Sequence, residues 1–96
     1  MSYAPKIVMK LPMATPQALP SFVEACLRDG VELIAVVGPD CGNVHDLIDD
    51  LIIGDGSDDS RYVATSWHTD ESFDEVLEFA HHWTAKAEGQ VQVVTL

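Results

Sequence analysis

Cys41, His68 and Asp70 are the side chains in this chain whose types suit nucleophilic chemistry. A thiol attacks, an imidazole takes protons near neutral pH, and a carboxylate orients the ring. Their spacing matches no established motif, so geometry alone can decide whether they work together. Asp40, Cys41, Asn43, Trp67 and His68 form the wider ligand-binding set expected, with Trp67 either packing at the core edge or, where partly exposed, serving as a stacking wall or interface anchor. Close paired zinc ligands are missing, and Cys26 and Cys41 fit neither a zinc pattern nor Cys-x-x-Cys. No metal and no cofactor is therefore expected. The Gly54 to Ser60 segment alternates Asp55, Ser57 and Asp59 but misses the register of a calcium loop, and reads as a solvated turn.

These residues need elements to position them. Leu33 to Val37 is an unbroken apolar run ended by Gly38-Pro39, the pattern of a strand covered on both faces and feeding a helix. Lys6 to Leu11 reads as an earlier strand stopped by Pro12. Between them, Ser21-Phe22-Val23-Glu24 has the capping-box form, and Phe22, Val23, Cys26 and Leu27 recur at helical spacing up to Gly30, a short helix that starts between Pro16 and Pro20. Asn43 is the expected cap of a second helix whose apolar stripe is Val44, Leu47, Ile48 and Leu51, with His45, Asp46, Asp49 and Asp50 on its flank or outer face. Arg61 to Trp67 is β-branched and aromatic, hence a third strand. Ser72-Phe73-Asp74-Glu75 is another capping box, opening a helix with Phe73, Val76, Leu77, Ala80, Trp83 and Ala87 inward and Gly89 at its end. Val91 to Thr95 closes the pattern as a strand.

The alternation β-α-β-α-β-α-β with right-handed crossovers predicts an α/β fold. It is a three-layer domain over residues 1–96 with a four-stranded, mainly parallel sheet, reduced flavodoxin-like or Rossmann-like, of expected strand order 2-1-3-4. The last strand pairs either parallel or antiparallel at an edge. In such sheets ligands bind outside the carboxyl ends of the strands, where the Asp40 to Asn43 turn and the Trp67 to Ser72 segment would meet.

A strand ending in Val-Val-Gly followed by Trp-His-Thr-Asp-Glu-Ser resembles small uncharacterised bacterial α/β domains, over Val31 to Trp83. The resemblance implies the fold and a cytosolic location, and carries no activity. Nucleotide and hydrolase signatures are absent: no Gly-x-Gly-x-x-Gly, no phosphate loop, no Gly-x-Ser-x-Gly elbow.

Sixteen acidic against five basic side chains give a net charge of -11, which repels phosphate and argues against nucleic acid and anionic membrane as partners. No apolar run reaches the roughly eighteen residues that span a bilayer, and Pro5, Lys6, Lys10 and Pro12 interrupt any signal-peptide core, so a cytoplasmic protein is expected. The function expected is a protein-binding or regulatory module without catalysis, its partner another protein or itself. A homodimer would use Val91 to Leu96 or an exposed helix face. The alternative is a small-molecule or metal-dependent enzyme using Cys41, His68 and Asp70.

Overall fold

The computed structural model describes residues 3–54, 56, 62–83 and 90–96. Its strands are β1 (Lys6–Lys10), β2 (Leu33–Val37), β3 (Ala64–His68) and β4 (Val91–Val94). Its helices are α1 (Leu19–Asp29), led in by a short turn of 3-10 helix at Pro16–Ala18, α2 (Cys41–Ile53) and α3 (Phe73–His82). All pairings are parallel, the last strand's included.

The α/β class and parallel sheet are as expected, but the strand order is 3-2-1-4 rather than 2-1-3-4. Both orders permit right-handed crossovers, so handedness does not choose between them. Burial does. Every residue of β2 is buried, which an edge position cannot provide, whereas the Thr65, Ser66 and His68 of β3 suit a strand with one open side. α1 and α2 pack together on one face as the chain steps from β1 to β2 to β3. α3 then crosses back over β2 and β1 on the other face and lays β4 beside β1.

Period-two alternation divides the apolar residues between two cores. Ile7, Met9, Ile34 and Val36 meet Phe22, Val23, Cys26, Val44 and Ile48 beneath α1 and α2. Val8, Leu33, Ala35 and Val37 meet Val76 and Ala80 beneath α3. Lys6 and Lys10 share the face of Val8 and hold opposite ends of α3. Lys6 Nζ donates to the carbonyls of His81 and Trp83 at 3.2 and 3.1 Å, and Lys10 Nζ lies 4.9 Å from the Phe73 ring centroid.

Two helix caps differ from those expected. α1 begins at Leu19, within the expected Pro16 to Pro20 bounds, but Ser21 lies inside it and the helix starts behind Ala18 with no side-chain cap, led in by the Pro16–Ala18 turn and Pro20. α2 begins at Cys41 after Asp40, and Asn43 sits in its first turn with Nδ2 donating to Asp40 Oδ1 at 2.6 Å. The buried face of α2 therefore runs Cys41, Val44, His45, Ile48, Ile52. Cys41 and Ile52 extend the stripe at both ends and turn it away from Leu47, which is 52% exposed, and toward His45, which is buried. Gly30 takes the left-handed cap of α1 (φ 78°) as expected. Ala87 and Gly89 fall outside the described residues, as do most of the Gly54 to Ser60 segment and Arg61.

At α3 the expected capping box is present. Glu75 N–H donates to Ser72 Oγ at 3.1 Å, and Ser72 N–H donates to Glu75 Oε1 at 2.9 Å. That backbone donor, with the Ser72 side chain, holds the Glu75 carboxyl below its ordinary range. Ser72→Ala is expected to cost about 1 kcal/mol in urea unfolding at neutral pH. A depressed carboxyl stabilises the fold above its unfolded pKa and loses that contribution as pH falls through its folded value. The stability gap between wild type and Glu75→Gln is therefore expected to close on acidification into the carboxylate range, and a gap that widened would contradict the assignment.

Candidate functional site

In an open α/β sheet the natural ligand crevice lies where successive crossovers leave in opposite directions, here outside the carboxyl ends of β1 and β4. The chain itself occupies that position. Thr15 N–H donates to Leu96 O at 2.7 Å, and Met13 and Leu96 pack on the core beside it. One strand over, Leu11 N–H donates to Val37 O at 2.9 Å, which brings the β1 loop against Gly38.

The expected catalytic trio is not brought together by its polar contacts. Cys41 is buried at the start of α2, with Sγ 3.8 Å from Thr69 Oγ1. His68 is also buried but points to the α3 side of the sheet, 4.7 Å from the Phe79 ring. Its Nε2 lies 2.9 Å from Ser66 Oγ and its Nδ1 3.1 Å from Glu71 Oε1, so Glu71, not Asp70, orients the ring. Asp70 is instead a turn residue with φ 65°. Trp67 is adjacent to His68 in the strand and therefore faces the opposite side, half-exposed above α2. Asp40 and Asn43 bond each other.

Ser66, His68 and Glu71 have the connectivity of nucleophile, base and orienter. Acyl transfer also needs donors aimed at the developing oxyanion. Ala64 N–H donates to Glu32 O at 3.0 Å, and in a parallel ladder alternate residues turn their backbone groups the same way, so the Ser66 N–H points toward β2. At the nearby start of α3, the N–H groups of Ser72 and Glu75 are spent in the capping box. What the relay does with its neighbours is fix the His68 ring. Cys26, the other thiol, is pushed up to about 12 by burial, with Asp29 adding to the shift, which makes it a poor nucleophile. Among the described residues no group of three or more His, Cys, Asp and Glu side chains is placed to hold a metal. No described helix is long and apolar enough to cross a membrane.

The surface between α2 and β3 lies outside the expected site. There a groove of 410 Å³ is lined by His45, Asp49, Ile52, Ile53, Tyr62, Val63, Ala64 and Thr65. Thr65 Oγ1 donates to Asp49 Oδ1 at 2.6 Å and lies 3.0 Å from His45 Nε2. Its proton being spent on Asp49, Thr65 accepts from Nε2. His45 Nδ1 faces Asp46 Oδ1 at 3.2 Å, and the ring lies under Trp67 with centroids 4.4 Å apart. Around this polar floor stand Ile53, Tyr62 and Trp67, all more than half exposed. The signal for it was present: Thr65 and Trp67 alternate onto one face, and His45 and Asp49 are one helical turn apart.

Comparison with curated proteins and with solved structures found no match. A domain of unknown function, DUF7684, matches residues 7–96, nearly the whole chain, and the protein belongs to that family.

Proposed function

We propose that this is a small cytosolic module that binds and regulates another protein through the α2–β3 surface, without catalysis of its own. The observation that carries this reading is the group of large apolar side chains left exposed around one groove. Tyr62 is 76% and Trp67 52% exposed, and aromatic anchors rimming a concave surface are characteristic of interface hot spots. Self-association has support of its own at the other sheet edge, where Val93 of β4 is 44% exposed. The enzyme reading built on Cys41, His68 and Asp70 has less behind it, since His68 is engaged by Ser66 and Glu71.

The test is site-specific photo-crosslinking from positions 53 and 62, with position 17 on the exposed turn before α1 as control. The captured polypeptide is identified, purified and titrated against wild type and Trp67→Ala. We expect crosslinks at the first two positions only and a loss of about tenfold or more in affinity for Trp67→Ala, with an unchanged unfolding midpoint. Equal crosslinking at position 17, or affinity indifferent to Trp67, defeats the reading. Sedimentation decides self-association: a species of 10.5 kDa alone at high micromolar concentration excludes the homodimer.

A further inference from the structure

We infer that the occupant of the α2–β3 surface is an extended, lysine- or arginine-bearing segment of another protein, which adds as a strand to the open edge of β3. This rests on the reading of that surface as a binding surface, and it specifies what binds.

The first support is the backbone. β3 is an edge strand paired only with β2 among the described residues. Because Ala64 N–H turns to Glu32, the N–H and C=O groups of Thr65 and Trp67 turn outward, offering two donors and two acceptors at the two-residue repeat of an incoming strand. Sheet edges are ordinarily blunted by lysine, proline or a bulge. Ala64–His68 contains neither lysine nor proline, and it runs in unbroken register with β2.

The second support is the placement of side chains. Thr65 and Trp67, whose backbone groups face outward, also carry their side chains to the groove face. A segment paired with them would set alternate side chains beside Trp67 and over the groove.

The third is charge. Cys41–Ile53 holds Asp46, Asp49 and Asp50 and has no lysine or arginine. His45 lies between two of these carboxylates, while the Asp46 and Asp49 side chains remain 79% and 42% exposed. A second copy of the chain would bring another net charge of -11 to this acidic flank, so a cationic partner is favoured over self-pairing here.

The probe is a phage-displayed library of random 12-residue peptides selected against the full chain. Selected peptides are synthesised, titrated, and followed by amide NMR. We expect enrichment of lysine and arginine among alternating β-branched residues, and slowed exchange of the Thr65 and Trp67 amides on binding. We also expect affinity to fall about threefold or more in Asp46→Asn/Asp50→Asn. Peptides that need Trp67 but lack basic residues, or leave the Thr65 and Trp67 amides unprotected, overturn this inference and leave the binding surface standing. Peptides that bind equally well to Trp67→Ala overturn both. A selection that yields no binder overturns the strand-addition inference, while the crosslinking experiment still judges the surface.

Discussion

Gly38→Ala is expected to lower the unfolding free energy by about 2 to 4 kcal/mol, seen as a lower urea midpoint at unchanged slope. Gly38 has φ 118°, a conformation that side chains rarely adopt, and a Cβ there would stand 2.9 Å from Leu11 O and 3.1 Å from Leu11 Cβ. The neighbour cannot simply withdraw, because Leu11 N–H is bonded to Val37 O, one residue before the glycine. Strain and overlap therefore add. A cost below about 1 kcal/mol, the level of an ordinary substitution, would show that the loop after β1 gives way.

Lys6→Met is expected to cost about 2 to 3 kcal/mol. The methionine can follow the same path through the sheet, so the apolar stem is largely conserved and the ammonium is what is removed. Its loss leaves the His81 and Trp83 carbonyls, at the end of α3, without the donor that satisfies them. The change is checked by chemical denaturation together with amide exchange. Exchange is expected to quicken in the last turn of α3 before it does in β1, and a uniform increase across the sheet would argue that packing rather than capping was lost.

Neither role is legible in the sequence, and the reasons are physical. Gly38 reads as a strand breaker, but its close approach to Leu11 depends on how two loops meet, which no local pattern encodes. Lys6 reads as part of a strand, although the alternation Lys6, Val8, Lys10 places both lysines on the α3 face. The elements that were legible rest on short-range chemistry: the Ser72 box, the Gly30 cap, and the β2 run too apolar to face water. The strand order was legible only in part. A strand buried along its whole length belongs in the middle of a sheet, and that constraint outranks the handedness rule that left the order open.

The candidate site divides the same way. Trp67 lies one residue before the end of β3, and its partner is His45, which a stripe of Val44, Leu47, Ile48 and Leu51 leaves on the flank or outer face of the helix. A register shift of that stripe moves one imidazole from solvent to the floor of a groove. Cys41 and His68 each reach the loop region after β3, but side-chain alternation sends His68 to the far face.

The position of β4 has a consequence for how the molecule is made. Because β4 pairs with β1, β1 waits for a strand made much later before its second side is covered. β1, β2 and β3 with α1 and α2 can assemble once β3 has emerged from the ribosome, before α3 and β4 have followed it. At ordinary elongation rates the residues from the end of β3 to β4 take about 1 to 5 seconds to appear. Through that interval the Lys6–Lys10 edge stands open on the nascent chain, and its two lysines are the feature that discourages another strand from taking the place of β4.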